Sequence, residues 1–395
     1  MGRTVIVSAV RTPFTKLSGG FATLSAIDLG AYAIEAAIAR AHVHAGDVEN
    51  VLMGTVLQAG VGQIPARQSA IKAGIPVTAS ALTINKVCAS GLRAVTMADT
   101  FARAGEGHVF VAGGMESMTQ APYLLKKARS GYRMGHGELL DSMISDGLWC
   151  AFHNVHMGVH GSTVAAEYQI SRAAQDEWAA RSHQRAHAAW ERGRFSAEVI
   201  AVSVPAGKGE PTVVSRDESI RPDTTAEKLA KLKPAFSPDG TITAGNAPGV
   251  NDGAAALVLM TEEEAKRRGL KPLAAIVGHA MVGQEAPYLH TVPALAIQKA
   301  LAKTGLQLSE LDVIEINEAF AAVTLTSMQL LGIDAEKVNV NGGAVAMGHP
   351  IGASGARLVT TLAHELVSTG KRYGAAAICS GAAQGDAIIL ENLQI

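Results

Sequence analysis

One of the three cysteines of the chain, Cys88, lies in the segment INKVCASGLRAV (84–95), between an apolar stretch and a turn of small residues. Ser90 and Gly91 indicate the start of a helix, which places Cys88 at its N-terminal end. There the free N–H groups and the helix dipole favour the thiolate, the form of cysteine that attacks carbonyl carbons. Free cysteines are also among the residues most often buried, so Cys88 is either a nucleophile or a core residue.

A residue that could activate this nucleophile, His349, lies in the glycine-rich segment NVNGGAVAMGHPIGASGARLV (339–359) and is followed by Pro350. Glycine at this density indicates tight turns or a close approach of the backbone to a ligand. A base beside a nucleophile is what acyl transfer requires. A dinucleotide-binding loop is disfavoured, because the glycines do not follow the G-x-G-x-x-G pattern with an acidic residue about twenty positions later.

Two more segments place reactive side chains at the ends of predicted strands. Cys379 ends an apolar strand before SGAAQG, and Asn317 and Glu318 follow another strand in INEAFAAV (316–323). Ligand chemistry collects at the carboxyl ends of parallel strands. The alternatives are a core cysteine at position 379 and helix capping by Asn317.

The segment CAFHNVHMGVH (150–160) carries Cys150, His153, His156 and His160 at helix-like offsets. Metal binding is nevertheless not expected here. No acidic residue is evident to orient the ligands, and zinc sites seldom take every ligand from one short helix.

A repeat indicates the elements that must position these residues. ASGLRAVT (89–96) recurs as ASGARLVT (353–360), matching at six of eight positions, and each copy leads through a helix to a strand that ends in glycine. A duplicated α/β unit explains this better than a chance match of small residues. The first copy carries an insertion, about 115–250, before NDGAAALVLM (251–260), which suggests a lid or binding domain. Strands alternating with helices predict a mainly parallel sheet covered by helices.

Composition excludes several classes of protein. The 395 residues are 48% hydrophobic and carry a formal net charge of −1, which suits a globular α/β protein and gives no electrostatic basis for binding nucleic acid or an anionic membrane. No apolar run approaches the ~20 residues that span a bilayer. The three cysteines are widely separated and form no disulfide framework, so we expect a cytoplasmic protein.

In combination these segments resemble the thiolase family over essentially the whole chain. The motifs that carry the resemblance occur in the family's order: NKVCASGLRAV, GGMESMT, NDGAAALVLM, NEAFAA, GGAVAMGHPIGASGAR and CSGAAQGDA. The resemblance implies an α/β fold of two duplicated halves, layered α-β-α-β-α, with an inserted loop domain. The corresponding domains are 1–120 plus 249–270, 121–248 for coenzyme A binding and tetramerisation, and 271–395.

The resemblance also implies roles for the reactive residues. Cys88 takes up the acyl group as a thioester, and His349 is the base that activates it. Cys379 removes the α-proton of the incoming acyl-CoA. Asn317 holds a water that forms an oxyanion hole with His349, and the N–H groups of Cys88 and Gly381 form a second one.

Further residues match positions that bind substrate in the family. His156, Met157 and Phe320 would line the acyl end of the pocket, and Arg221, Leu232 and Ala244 would hold coenzyme A. The chain departs from the family pattern in three places. Lys228 and Pro248 stand where serines that bind coenzyme A are common, and alanines occupy positions 382 and 383 of the turn in place of glycines. The segment APYLHTVPALA (286–296) also differs from the family's version, which bears on the acyl-chain preference.

The activity implied is the reversible condensation of two acetyl-CoA into acetoacetyl-CoA and coenzyme A, by ping-pong kinetics and without a cofactor. The alternatives are a thiolase that cleaves longer 3-ketoacyl-CoA chains in fatty-acid oxidation and a non-catalytic acyl-CoA-binding protein. Ketoacyl synthases usually carry two histidines where this chain has Cys379 and Asn317. The segment 123–149 resembles one that joins dimers into tetramers, which predicts a homotetramer.

Overall fold

The computed structural model describes residues 2–207 and 209–395. The strands in this part of the chain are β1 (Thr4–Arg11), β2 (Thr15–Lys16), β3 (Asn50–Gly54), β4 (Ser80–Ile84), β5 (Val109–Ser117), β6 (Tyr123–Leu124), β7 (Leu140–Asp141), β8 (Trp149–Cys150), β9 (Val155–His156), β10 (Val202–Val204), β11 (Thr212–Val214), β12 (Asn251–Thr261), β13 (Ala274–Gly283), β14 (Val313–Ile316), β15 (Tyr373–Ser380) and β16 (Gln384–Asn392). The α-helices are α1 (Ala26–Ala41), α2 (Pro65–Lys72), α3 (Ser90–Ala104), α4 (Met157–Glu167), α5 (Arg172–Glu191), α6 (Ala226–Leu229), α7 (Glu262–Arg267), α8 (Val292–Thr304), α9 (Ala321–Leu331), α10 (Ala344–Met347) and α11 (Ser354–Thr369).

The large sheet is mixed, so the prediction of a mainly parallel sheet is wrong. Its strand order is β14-β15-β16-β13-β1-β12-β5-β3-β4, with β2 paired to β12. Only the outer pairs β3–β4, β3–β5 and β14–β15 are parallel among the described strands. β12 and β16 return antiparallel to β5 and β15. The alternation of strands and helices stops after β5 and after β15. The next strand of the sheet runs back antiparallel beside each of them, whereas a helical crossover would have placed a parallel strand there.

The two halves have the same internal order, which confirms the duplicated α/β architecture. Read outward from the β1–β13 contact, one half runs β1, β12, β5, β3 and the other runs β13, β16, β15, β14. β4 pairs parallel to β3, and its counterpart is a parallel bridge between Ile314 and Val338. The repeated ASG segments therefore occupy equivalent places, at the starts of α3 and α11.

The central helices α3 and α11 lie between the two halves of the sheet, and α1, α2, α8 and α9 cover the outer faces, which gives five layers. The three largest apolar clusters of the described residues fill the spaces between these layers. One core joins α1 and α2 to the first half of the sheet, and another joins α8 and α9 to the second half. The central core contains α3 and α11 together with residues from both halves. The two central helices cross closely because of the repeated glycines: a Cβ on Gly91 would lie 2.8 Å from the backbone nitrogen of Ala356, and one on Gly355 would meet Leu92.

The residues between β5 and β12 contain the short strands β6–β11 and helices α4, α5 and α6. Of the helices in the described ranges, none combines the length and apolar character needed to cross a bilayer.

Candidate active site

A cavity of about 200 Å³ brings Cys88, His349 and Cys379 together. Cys88 lies between β4 and α3, His349 between α10 and α11, and Cys379 near the end of β15. The pseudo-symmetric crossing of α3 and α11 places the start of both helices at this cavity. The site is therefore built from both halves of the chain, as the repeat predicted.

Cys88 is a thiol at rest, because burial, and then the charge of the nearby Glu116 carboxyl, raises its pKa to about 12. The N–H groups of Cys88 and Gly381 interact with the sulfur and oppose this rise in the pKa. The N–H groups at the helix end do favour the thiolate, but desolvation of the sulfur outweighs them. The thiol needs a base at the moment of attack.

His349 is a neutral imidazole with a defined tautomer. Burial, and then the charge of Arg357, lowers its pKa to about 3. Its Nδ1 lies 2.6 Å from Ser354 Oγ, and that hydroxyl donates to the carbonyl of Pro350 at 2.9 Å. Because the hydroxyl has a single proton, it accepts from Nδ1–H. Nε2 is therefore unprotonated and can accept a proton.

Asn317 lies beside the base rather than on the cavity wall. Its main-chain N–H donates to the carbonyl of Ala377 at 2.9 Å, which fixes the residue at the end of β14. Its Nδ2 is 3.5 Å from Nε2 of His349. Within the described residues, the buried Oδ1 has no hydrogen-bond partner. The site thus contains an unused acceptor next to the imidazole.

Cys379 is close enough to Cys88 for a charge on one sulfur to affect the other. Burial, and then the proximity of Cys88, raises the pKa of Cys379 well above its ordinary value. Ser380 Oγ donates to the carbonyl of Lys86 at 2.6 Å, and Lys86 forms an ion pair with Asp386. These contacts tie the Cys379 strand to the Cys88 loop across the two halves.

The turn after Cys379 holds two alanines in the left-handed backbone region, with φ 61° at Ala382 and 51° at Ala383. Glycine adopts this conformation without strain, whereas each alanine adopts it at a cost of about 1–2 kcal/mol. Gly381 lines the cavity beside Cys88.

Aromatic and apolar side chains form the wall opposite the cysteines. His156 stacks on Phe236 with ring centroids 4.2 Å apart, and Phe236 meets the edge of Phe320. Met157 and Pro248 also line the cavity. Eleven lining residues were not predicted as site residues, among them Met118, Leu148, Phe236 and Leu289. Met118 and Leu289 lie in GGMESMT and APYLHTVPALA, two segments that the sequence singled out.

A second cavity, of about 280 Å³, adjoins the first, and Arg221 and Ala244 lie in its wall. Both cavities are lined by Ala247, Gly249 and Val250, which makes them neighbours. Leu232 and Lys228 line neither of them. Leu232 lies against Gly245, and Lys228 is exposed and paired with Asp223 at 2.7 Å.

Two buried carboxyls organise the loops around the site, and their roles were not predicted. Glu116 accepts the N–H groups of Val56 and Gly352, and burial raises its pKa to about 7. Glu318 accepts from Trp178 Nε1 at 2.9 Å and from Ser182 Oγ at 2.8 Å, both on α5. Glu318 therefore joins the inserted segment to the second half, whereas its neighbour Asn317 faces the base.

Comparison with known proteins gives consistent matches. The family model described as "Thiolase, N-terminal domain" matches residues 4–263, and the one described as "Thiolase, C-terminal domain" matches residues 270–392. The chain is 51% identical over 394 residues to an acetyl-CoA acetyltransferase of Escherichia coli K12, with both chains covered completely. It is 52% identical over 388 residues to a probable acetyl-CoA acetyltransferase of Mycolicibacterium smegmatis, covering 98% of this chain and 100% of that one. The crystal structure of the Bacillus anthracis acetyl-CoA acetyltransferase superposes with a TM-score of 0.97 at 41% identity, covering 100% and 99% of the two chains.

Proposed function

Because the chain belongs to the thiolase family, we propose that it is an acetyl-CoA C-acetyltransferase, which condenses two acetyl-CoA to acetoacetyl-CoA and coenzyme A and also runs in reverse. The observation that carries the proposal is that two cysteines from opposite halves and one neutral histidine line a single cavity. Carbon–carbon bond formation between two thioesters needs a nucleophile to hold the first acyl group and a base to deprotonate the second.

The first half-reaction transfers an acetyl group to Cys88. Nε2 of His349 takes the thiol proton as the sulfur attacks the thioester carbonyl. The oxyanion that forms accepts hydrogen bonds from the N–H groups of Cys88 and Gly381, which already interact with the sulfur. One preorganised donor of this kind is worth about 2.7–4 kcal/mol. Coenzyme A leaves as a thiolate and takes a proton from Cys379, which then carries the negative charge.

The second half-reaction forms the carbon–carbon bond. The Cys379 thiolate takes an α-proton from the second acetyl-CoA, and the enolate oxygen accepts a hydrogen bond from protonated His349 and from a water held by Asn317. The unpaired Oδ1 of Asn317 supports this assignment. The enolate carbon attacks the acetyl thioester, Cys88 leaves as a thiolate, and His349 returns its proton to it.

A cavity of about 200 Å³ is smaller than the ~300–1,000 Å³ typical of pockets for drug-sized ligands, which favours a short acyl group. Leu289 and Phe320 wall this space, and a long chain would need them to move. Arg221 and Ala244, in the adjoining cavity, are proposed to contact coenzyme A, with Lys228 and Leu232 at its outer end.

Steady-state thiolysis of 3-ketoacyl-CoA substrates of increasing length tests this activity. We expect kcat/KM to be highest for acetoacetyl-CoA and to fall for 3-ketooctanoyl-CoA. A preference for the longer substrate would instead support a thiolase of fatty-acid oxidation. Failure to turn over any of these substrates would favour an acyl-CoA-binding protein.

We also propose a cytoplasmic homotetramer, built as a dimer of dimers. The three cysteines are free thiols, which suits a reducing compartment. The segment 123–149 exposes large apolar side chains, with Met134 at 96% and Leu139 at 66% exposure, which supports an oligomer contact there. Light scattering should give the mass of four chains, and the mass of two would contradict the tetramer.

A further inference from the structure

A cluster of potential metal ligands outside the catalytic cavity is not used by the proposed reaction. Cys150, His153 and His160 each offer a ligand atom, and these atoms lie within 4.8 Å of one another. The objection to metal binding from the sequence was that one short helix would supply every ligand. The structure removes this premise, because Cys150 is in β8, His153 is in the turn that follows, and His160 is in α4.

The distance between the two imidazole nitrogens fits a tetrahedral ion. His153 Nδ1 and His160 Nε2 are 3.3 Å apart. In a tetrahedral zinc site with Zn–N bonds of about 2.0–2.1 Å, two ligand nitrogens lie about 3.3–3.4 Å apart. One sulfur with imidazole nitrogens is a ligand set that suits zinc, a borderline-soft cation.

The cluster also has a route to solvent. His153 is exposed and lines a surface depression of about 480 Å³ together with Phe152, Gln284 and Gln384. Cys150, by contrast, is 2% exposed and packs in the same apolar cluster as Met157 and Cys379. An ion could enter past His153 and bind Cys150 at the inner end.

We propose that Cys150, His153 and His160 are the three protein ligands of a tetrahedral zinc ion whose fourth position is open. Binding displaces the proton of the Cys150 thiol, because the thiolate is the ligand. The ion joins the β8–β9 hairpin, which ends at His156, to helix α4. It therefore fixes the acyl end of the catalytic cavity, and no step of the reaction passes through it.

Zinc titration of chelator-treated, full-length protein without a histidine tag tests the proposal. We expect one zinc per chain by plasma mass spectrometry and a thiolate-to-cobalt charge-transfer absorption when Co²⁺ replaces zinc. Cys150→Ser should abolish that absorption. His153→Asn should weaken zinc binding by at least the 10–100-fold that loss of an outer-shell partner costs. Because His153 is exposed, this variant leaves the core intact.

Two control variants separate this site from others. His136→Asn makes the same change at an exposed histidine in another loop and should bind zinc like the wild type. Cys88→Ser should keep the cobalt absorption even though it removes the nucleophile. The proposal is overturned if the wild type binds less than one zinc per chain at micromolar concentrations, if His153→Asn binds as tightly as the wild type, or if Cys88→Ser loses the absorption.

Discussion

Cys88 and His349 are both uncharged before substrate arrives, because burial raises the pKa of the thiol to about 12 and lowers that of the imidazole to about 3. A thiolate–imidazolium pair of Cys88 and His349 is therefore disfavoured before substrate binds. Proton transfer has to accompany attack on the thioester, when the oxyanion donors begin to stabilise the new charge. The tautomer of His349 is then decisive, because only an unprotonated Nε2 can accept the proton.

At this scale Ser354→Ala tests the tautomer. Without the hydroxyl that accepts from Nδ1–H, the proton can move to Nε2, and kcat should fall about 10–100-fold, part of the ~10²–10⁴-fold that a general base contributes. KM for acetyl-CoA should stay nearly constant, since Ser354 does not line the cavity. Ser368→Ala, at an exposed position of the same helix, is the matched control. Equal effects of both changes on kcat, or a loss confined to KM, would contradict this role.

The close crossing of α3 and α11 is the element on which the site depends. The glycine of each repeated ASG segment lets one helix approach the backbone of the other, which sets the positions of Cys88 and His349. Sequence alone identified this repeat because six of its eight residues, including the glycine at the contact, are identical. It did not reveal that Glu116 and Glu318 join loops that are distant in the chain. Those features depend on tertiary contacts that leave no periodic pattern.

Gly355→Ala tests this crossing. Its new Cβ would overlap the backbone of Leu92, and overpacking of this kind costs about 1–3 kcal/mol of unfolding free energy. Because α11 follows His349, kcat should fall as well. Gly46→Ala is the control, since a Cβ there meets nothing within 4 Å. Equilibrium urea unfolding measures both, and equal stability of the two variants would show that the helices do not need this close approach.

For the whole molecule, buried titratable groups determine how stability depends on pH. Burial lowers the pKa of His349 to about 3 and that of His183 to about 4, so the unfolded chain binds more protons than the folded one below pH 6.5. Burial raises the pKa of Glu116 to about 7 and that of Glu315 to about 8, which opposes this effect above pH 4.5. Below pH 4.5 only the histidine effect of these four groups remains, and stability falls as pH decreases.

Burial also lowers the pKa of His290 to about 3, so three histidines oppose two carboxyls between pH 6.5 and 4.5. We therefore expect the unfolding free energy to fall modestly from pH 6.5 to 4.5 and more steeply below that range. The slope should be about 1.4 kcal/mol per pH unit for each histidine that must stay neutral. His349→Asn should remove its share of this slope while leaving the stability near pH 7 similar. Urea unfolding between pH 3.5 and 7 checks this, and an unchanged acid slope in the variant would exclude His349 as a cause.

The central claim is that the two sulfurs act in sequence, Cys88 as acyl carrier and Cys379 as base. Intact-mass measurement after incubation with acetyl-CoA, with peptide mapping of the adduct, tests it most directly. We predict one acetyl group on Cys88 in the wild type and in Cys379→Ser, no adduct in Cys88→Ser, and at least about 100-fold slower condensation in Cys379→Ser. An acetyl group mapped to Cys379, or an adduct that persists in Cys88→Ser, would contradict the account.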